Sequence, residues 1–224
     1  MKKLLSTLIM MLLIPCSAYA SPLEDYTLGK TAIDLSLCPS LDGSIGHGYA
    51  KPLEGRSTVL DLRATTGLGG KYAIQYRRFN PESEEFLGCT EIYDATNIKL
   101  DWTELNLLYR LDNRTSMFIG QVHAQPSFFI ANREASIESK KINQIGLVHD
   151  AKITKDTHLY AIVGLGDQLV NFEVGASYQM NKNVDFNVNY REVKVDSLNA
   201  NVNGVHNYYD IKFKGIGFGT TLKF

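Results

Sequence analysis

Histidine is the residue type in this chain with the clearest capacity for chemistry, and the chain has five of them. His149 is followed by Asp150, a pair in which a carboxylate could hold an imidazole that acts as a general base. His47 and His206 also lie a few residues from an acidic side chain. A catalytic base needs a nucleophile or a water and a second group that orients it, and closeness along the chain supplies neither. Whether any of these histidines can act as a catalytic base therefore depends on the strand or loop in which it lies.

A glycine-rich stretch from Gly67 to Lys71 has the composition of a phosphate-binding loop. That motif requires a further glycine at the place of Thr65 and a serine or threonine at the place of Tyr72. We therefore predict a hairpin turn here and no bound cofactor or metal. The 23 basic and 24 acidic residues give a net charge of -1, and this balance gives no indication of nucleic acid as a partner.

The N-terminal segment has the pattern of an export signal. Two lysines precede an uncharged apolar run over 4–14, and a small-x-small cleavage site ends at Ala20. The apolar run is too short for a membrane-spanning helix, which takes about 20 residues. We predict a cleaved signal peptide over 1–20 and a single domain over 21–224.

Apolar and polar residues alternate at a period of two through most of the remaining chain, as strands with one apolar face require. Ten segments are predicted as strands: 31–37, 58–67, 71–79, a segment ending in 103–110, 116–125, 142–153, 158–166, 172–180, 183–195 and 208–224. No apolar run is long enough for a membrane helix, so the choice lies between an exported soluble all-β protein and a membrane-spanning barrel. The recurrence of apolar faces on segment after segment and the alternation of short and long connections favour the barrel.

The lengths of the connections predict the topology. Four connections are long: 38–57, 80–97, 126–141 and 196–207. The other connections are short, and they alternate with the long ones at every position but one. The exception is the connection near Asp167, which is short although the alternation calls for a long one. Short periplasmic turns and long extracellular loops are typical of outer-membrane barrels. The prediction is all-β: a closed antiparallel up-and-down transmembrane β-barrel of ten strands, or eight if the short first segment lies outside it.

In the fourth segment the apolar parity slips near Thr103. Ile98, Leu100 and Trp102 lie on the opposite face from Leu105 and the apolar positions that follow it. Either a β-bulge or an extension of the strand above the membrane would explain the change.

The chain resembles the small outer-membrane β-barrel proteins of Gram-negative bacteria, the porin and OmpA-type β-barrel superfamily. The resemblance is carried by the signal peptide, the alternating strands and the terminal strand Gly217-x-Gly219-x-x-x-x-Phe224. It implies localisation in the bacterial outer membrane, with lipid and lipopolysaccharide as partners. It also implies that the barrel assembly machinery reads the terminal strand at Phe218, Leu222 and Phe224.

The resemblance does not specify an activity. We expect a structural or surface role or a narrow passive pore, and no enzymatic function. The alternative is an outer-membrane enzyme, such as a surface protease resembling omptins or a lipid-modifying barrel, that uses His47 or His206. His149 and Asp150 are expected on opposite faces of their strand, where they cannot cooperate. His123 is expected inside the lumen as a hydrogen-bonded residue.

Strand parity predicts a lumen of mixed charge, with internal pairing in place of a selectivity ring of one sign. The predicted lumen charges, six basic and five acidic, are Asp34, Asp61, Arg63, Lys71, Arg77, Glu104, Arg110, Glu173, Asp185, Arg191 and Lys223. In so narrow a barrel, long paired side chains would leave little open bore. Arg78 and Lys194 are expected to face outward near the extracellular rim, where phosphates of lipopolysaccharide would lie.

Two cysteines remain after the predicted cleavage, and an oxidising compartment permits them to pair. Cys38 begins the first long loop and Cys89 lies in the second. These loops are neighbours in the predicted barrel, so we predict a disulfide that holds them together over its mouth.

Overall fold

The computed structural model describes residues 26–46, 53–82, 95–130, 133–136, 138–202 and 205–224. The predicted signal peptide over 1–20 lies outside these residues. The described chain forms eleven strands: β1 (Thr31–Gly46), β2 (Leu53–Gly69), β3 (Tyr72–Phe79), β4 (Ala95–Arg110), β5 (Thr115–Ile130), β6 (Arg133–Ser136), β7 (Lys140–Lys152), β8 (Thr157–Gly166), β9 (Leu169–Asn181), β10 (Val184–Val202) and β11 (Val205–Lys223). Among the described residues, no helix is long and apolar enough to cross a membrane.

The strands close into an antiparallel barrel. The hydrogen-bonded order runs from β4 back to β1, then to β11 and down to β7 and β5, and β5 pairs with β4 to complete the ring. The short β6 pairs only with β5 and extends it as a hairpin, so ten strands form the wall. The predicted ten-stranded barrel is confirmed, and β1 is a full member because it pairs with both β2 and β11.

Short turns join β2 to β3, β4 to β5, β7 to β8 and β9 to β10, and all four lie at one end of the barrel, which we call the turn end. The opposite end is the loop end. The glycine-rich stretch is a hairpin turn, with φ of 96° at Gly69 and 60° at Gly70. Glycine adopts this left-handed conformation without the steric cost of a side chain. At the loop end a short connection joins β8 to β9, with Gln168 at φ 61°. Two residues also separate β10 from β11, because the predicted long loop over 196–207 is largely a continuation of these paired strands.

An apolar band surrounds the outer wall near the turn end. Its large apolar side chains are exposed on the isolated chain and include Leu35, Leu37, Ile74, Leu105, Leu107, Ile119, Ile145, Leu147, Leu159, Phe186 and Phe218. So wide an apolar surface is unusual in a soluble protein and typical of a lipid-facing wall.

Towards the loop end the pattern inverts. On β1, Leu41 and Ile45 are buried inside the barrel while Asp42 faces outward. On β4, Leu100 and Trp102 are fully buried inside. Several strands are 16 to 19 residues long, whereas a membrane-spanning strand needs about 9 to 11. These strands therefore continue past the apolar band as a second segment with a dry interior and a polar exterior.

This continuation explains the change of parity in the fourth segment. The pairing of β3 with β4 runs without interruption from Tyr72 and Tyr109 to Phe79 and Trp102, so there is no bulge near Thr103. Of the two predicted explanations, extension of the strand is the correct one. A register shift does occur on β1, between Leu37 and Ser40.

The lumen is filled in three layers. At the turn end lies the lower apolar cluster, with Tyr26, Ala32, Ala73, Leu108, Phe118, Val148, Tyr160 and Ile162. At the loop end lies the upper apolar cluster, a larger group centred on Leu41, Phe79, Leu100, Trp102, Ile211 and Phe213. Between them is a layer of buried charged and amide side chains, which we call the ionic layer.

Candidate functional site: the ionic layer of the lumen

The ionic layer is built from inward-facing residues of several strands. Glu173 on β9 lies on the wall opposite β2 and β3 in the strand order. Its Oε2 accepts from Arg63 Nη2 at 2.6 Å and lies 2.9 Å from Arg77 Nη1. A carboxylate on one wall therefore joins two guanidinium groups on the other, and the three side chains bridge the lumen.

Asp61 provides the second centre of the layer. Arg77 Nε donates to Asp61 Oδ1 at 2.8 Å and Arg77 Nη2 donates to Asp61 Oδ2, a two-point contact that suits the planar guanidinium. Arg191 Nη1 donates to Asp61 Oδ2 at 3.2 Å. The Arg191 guanidinium also lies 4.1 Å from the centre of the Phe79 ring, where the ionic layer meets the upper apolar cluster.

Glu104 is held by neutral donors. Its Oε1 accepts from Asn106 Nδ2 and from Gln144 Nε2, each at 2.7 Å. Gln144 Nε2 also donates to Asn106 Oδ1 at 2.8 Å. These side chains come from β4 and β7. The amide network therefore fills the side of the lumen next to β4 and β7, whereas the arginine network fills the side next to β2, β3, β9 and β10.

Little space remains in the layer. Beside Arg63, Tyr160 and Glu173 there is a cavity of about 10 Å³, roughly what one water molecule needs. Glu173 is 1% exposed and Arg77 is 3% exposed. The arrangement can hold charge in a fixed geometry, and the cavity found among these side chains is too small for a hydrated solute.

Eight of the eleven predicted lumen charges are buried inside the barrel: Asp34, Asp61, Arg63, Arg77, Glu104, Glu173, Asp185 and Arg191. Arg110 and Lys223 lie at the turn end. The Arg110 guanidinium is 4.2 Å from the centre of the Tyr26 ring, and Lys223 Nζ is 2.6 Å from Asp185 Oδ2.

Lys71 does not lie in the lumen. It is exposed in the turn before β3, with its Nζ 5.7 Å from the centre of the Tyr109 ring. The parity rule fails for Lys71 because β3 begins only at Tyr72. The buried interior consequently has five of the predicted acidic residues and three of the basic ones, which is more acidic than the predicted six basic and five acidic charges.

The histidines are distributed differently from the prediction. His149 and Asp150 face opposite sides of the wall, as expected, and His149 Nδ1 lies 3.1 Å from Thr115 Oγ1. Asp150 is instead close to His158 on the neighbouring strand, with 3.8 Å between Asp150 Oδ2 and His158 Nδ1. Both side chains are buried. The sequence spacing of Asp150 and His158 does not predict this pair, because only the register of β7 and β8 brings the two residues together.

His123 faces outward, so its predicted position in the lumen is wrong. The residues of β5 that point inward here are Val122 and Ala124, both fully buried. The prediction assumed that polar residues face the lumen, and that assumption does not hold where the strand leaves the apolar band. His47 and the side chain of His206 lie outside what the structure describes, so the enzyme alternative keeps its status as a hypothesis.

Cys38 is not at the start of a loop. It lies within β1 and is buried in the upper apolar cluster. Cys89 lies outside the described residues, so the disulfide stays a prediction.

A short N-terminal segment packs against the turn end of the barrel, a feature that strand alternation does not predict. Tyr26 is 2% exposed, and its hydroxyl donates to Ser116 Oγ at 2.9 Å. The backbone N–H of Gly69 donates to the carbonyl of Tyr26 at 2.9 Å. Burial raises the pKa of the Tyr26 hydroxyl, although the hydrogen bond to Ser116 and the charge of Arg110 act in the opposite direction.

The terminal strand completes the wall. Phe218, Leu222 and Phe224 point outward, and the Phe224 N–H donates to the carbonyl of Thr31 at 2.8 Å. In the described part of the chain, no group of three or more histidine, cysteine or acidic side chains is arranged to hold a metal ion.

No protein-family model matches the chain, and comparison with curated proteins finds no match. Among solved structures, the outer membrane protease OmpT from Escherichia coli is 12% identical with a TM-score of 0.57, over 87% of this chain and 97% of that one. The outer membrane protein AlkL is 14% identical with a TM-score of 0.47, over 94% and 97%. Neisserial surface protein A is 10% identical with a TM-score of 0.45, over 88% and 99%. At this identity the likeness to OmpT concerns the fold alone.

Proposed function

We propose that this chain, which has the fold of an outer-membrane β-barrel, is an exported integral protein of the bacterial outer membrane with a sealed lumen. In this proposal it has a structural or surface role in the envelope and does not act as a passive pore. The apolar band supports a position in the membrane, because a wall of that kind is stable only against lipid.

The observation that carries the sealed lumen is the bridge from Glu173 to Arg63 and Arg77 across the barrel. A solute could pass only by separating these buried ion pairs. Leaving one partner of such a pair uncompensated costs about 3–5 kcal/mol. Apolar clusters above and below the ionic layer would exclude water as well. A narrow passive pore is therefore the less favoured role.

The proposal includes lipid and lipopolysaccharide as partners and assembly through the outward face of the terminal strand. It assigns no enzymatic activity and no nucleic acid, cofactor or metal. The enzyme alternative would require lipid or peptide turnover that is lost when His47 or His206 is replaced.

A planar-bilayer recording tests the sealed lumen. We expect the purified, folded protein to give no reproducible conductance steps. A triple variant, Arg63→Ala with Arg77→Ala and Glu173→Ala, removes the bridge and should give conductance steps that the unaltered protein lacks. Migration that changes on heating serves as the control for a folded barrel in both proteins. Reproducible steps from the unaltered protein would establish the pore and contradict the proposal.

A further inference from the structure

The outer wall has a groove of about 540 Å³ on strands β3, β4, β5 and β7. Its sides are the outward-facing apolar side chains of Ile74, Leu105, Leu107 and Ile119. The volume lies within the range of about 300–1,000 Å³ that is usual for small-molecule and cofactor sites. Because the groove lies in the apolar band, the ligand it fits has an extended hydrocarbon part.

The back of the groove is held by the amide network of the lumen. Asn106 and Gln144 reach the groove from the inner side of the wall, on either side of Gly120. A Cβ at Gly120 would lie 2.0 Å from Asn106 Oδ1 and 2.4 Å from the carbonyl of Leu105, so only glycine fits there. The hydrogen bonds of Asn106 and Gln144 to Glu104 make this part of the wall a preformed surface.

A row of basic side chains crosses the same four strands directly above the groove. Arg78 is paired in register with Thr103, Thr103 with His123, and His123 with Lys141. Arg78, His123 and Lys141 face outward. With neighbouring strands about 4.8 Å apart, the row extends over about 15 Å. Asp101 is the nearest outward acidic residue on β4, and it lies one step further towards the loop end.

The basic residues on the far wall are arranged differently. Lys194 Nζ on β10 lies 2.6 Å from Asp196 Oδ1, and Lys212 Nζ on β11 lies 2.8 Å from Glu192 Oε1. Within the described residues, Arg78 and Lys141 have no such carboxylate partner. The far wall is thus neutralised by its own carboxylates, and the row above the groove is left to bind an external anion.

We propose that the basic row and the groove form a binding site for one lipopolysaccharide molecule of the outer leaflet. The phosphates contact Arg78, His123 and Lys141, and one acyl chain lies in the groove over Gly120. This inference rests on the proposed outer-membrane position, which puts the loop end and the row at the outer leaflet. Three donors spread over the row suit a ligand with more than one phosphate better than a phospholipid with one.

Native mass spectrometry of the full mature barrel, titrated with purified rough lipopolysaccharide, tests the site. Each basic side chain near an anionic membrane surface adds to the binding free energy. The double variant Arg78→Ala with Lys141→Ala removes two of them, so its affinity for lipopolysaccharide should fall by at least about tenfold. Dephosphorylated lipopolysaccharide should show a similar loss with the unaltered protein. Ile119→Trp, which fills the groove but keeps the row, should also weaken binding. The matched control, Lys194→Ala with Lys212→Ala on the far wall, should leave binding unchanged.

Equal affinity of the row variant and the unaltered protein would overturn the inference, and so would an equal loss in the far-wall variant. Equal binding of phosphatidylglycerol would assign the surface to phospholipid and contradict the choice of lipopolysaccharide. A heat-modifiable gel shift shows that each variant is folded. Conductance in a bilayer would contradict the sealed lumen without affecting this site, so the two proposals fail on different measurements.

Discussion

The segment of the barrel within the apolar band and the segment nearer the loop end use the same strands in opposite ways. Within the band, Leu35 and Leu107 are exposed on the outer wall while Asp61 and Glu173 are buried inside. Nearer the loop end, Trp102 is fully buried and the outward positions around it are polar. Each strand has one face towards the lumen and one towards the outside, and its apolar side chains lie on whichever face is away from water. The inversion therefore marks the edge of the apolar band, which is where the wall would leave the membrane in the proposed orientation.

The two segments also exclude water by different means. The ionic layer does so with charge pairs, whose strength depends on complete pairing. The upper apolar cluster does so by close packing, whose strength depends on filled volume. Substitutions in the two segments should therefore differ in size and in kind.

The largest effect is expected for Arg77→Ala in the ionic layer. This change leaves Asp61 buried without its two-point partner and Glu173 with only one of its two arginines, and the expected loss is about 3–5 kcal/mol in the free energy of unfolding. Urea unfolding in lipid vesicles, followed by gel mobility, measures it. The control is Arg56→Ala, since Arg56 pairs with Asp42 at 3.7 Å on the exposed surface and should contribute less than about 1 kcal/mol. Equal losses would contradict the role of burial.

The next effect is expected for Leu100→Ala in the upper apolar cluster. Removing a fully buried leucine leaves a cavity and should cost about 2–5 kcal/mol in the same unfolding assay. Leu105→Ala on the same strand is the control, because Leu105 is 53% exposed and lipid can fill the space it leaves. If Leu105→Ala cost as much as Leu100→Ala, the segment near the loop end would not have a dry packed core.

A pair of arginine substitutions on β1 locates the boundary between the segments. Leu35→Arg puts a charge in the apolar band and should cost about 2–4 kcal/mol, whereas Ser44→Arg lies beyond it and should cost about 0–1 kcal/mol. Both positions face outward on one strand, so the comparison reports the environment of the outer face; Ser44 has both Lys212 and Glu54 as register neighbours. The measurement is vesicle unfolding at equal lipid composition. Similar costs at the two positions would place both in one environment.

The smallest effect belongs to a turn outside both segments. Burial acts to raise the pKa of the Asp112 carboxyl, but the N–H groups of Arg114 and Thr115 donate to it at 2.7 and 2.8 Å and hold the pKa below its ordinary value. A lowered folded-state pKa stabilises the fold above the unfolded pKa of about 3.9, and this is lost as the pH falls through the folded pKa.

Asp112→Ala should therefore lower the free energy of unfolding near pH 6 by under about 1 kcal/mol, after allowance for solvent screening. The difference from the unaltered protein should shrink below about pH 4. Asp112→Asn keeps an acceptor without the titration and serves as the control. A difference that stayed constant with pH would show that the carboxylate charge is not involved.

Much of the barrel was predictable because strand parity is a local property. Arg63 and Glu173 were correctly directed inward from the alternation of their own strands. Their contact was not predictable, since the two residues are 110 positions apart and meet only when the barrel closes. Lys71 and His123 were misplaced where a local assumption failed, at a strand end in one case and beyond the apolar band in the other.

The groove and the pair of His158 with Asp150 belong to the same class of feature. Each is assembled from neighbouring strands, so its residues are recognisable only after the register is known. The row formed by Arg78, His123 and Lys141 has no sequence spacing that would connect its members.

By itself the sequence determined the all-β class, the ten strands, the end with the short turns and the faces of each strand within the apolar band. These properties follow from the alternation of apolar and polar residues and from the lengths of the connections, both of which can be read locally along the chain. Only the tertiary structure decided how side chains fill the lumen, that the strands continue into a segment with an apolar interior and which charges pair across the barrel. Those properties depend on register and closure, because they arise between side chains that the chain itself keeps far apart.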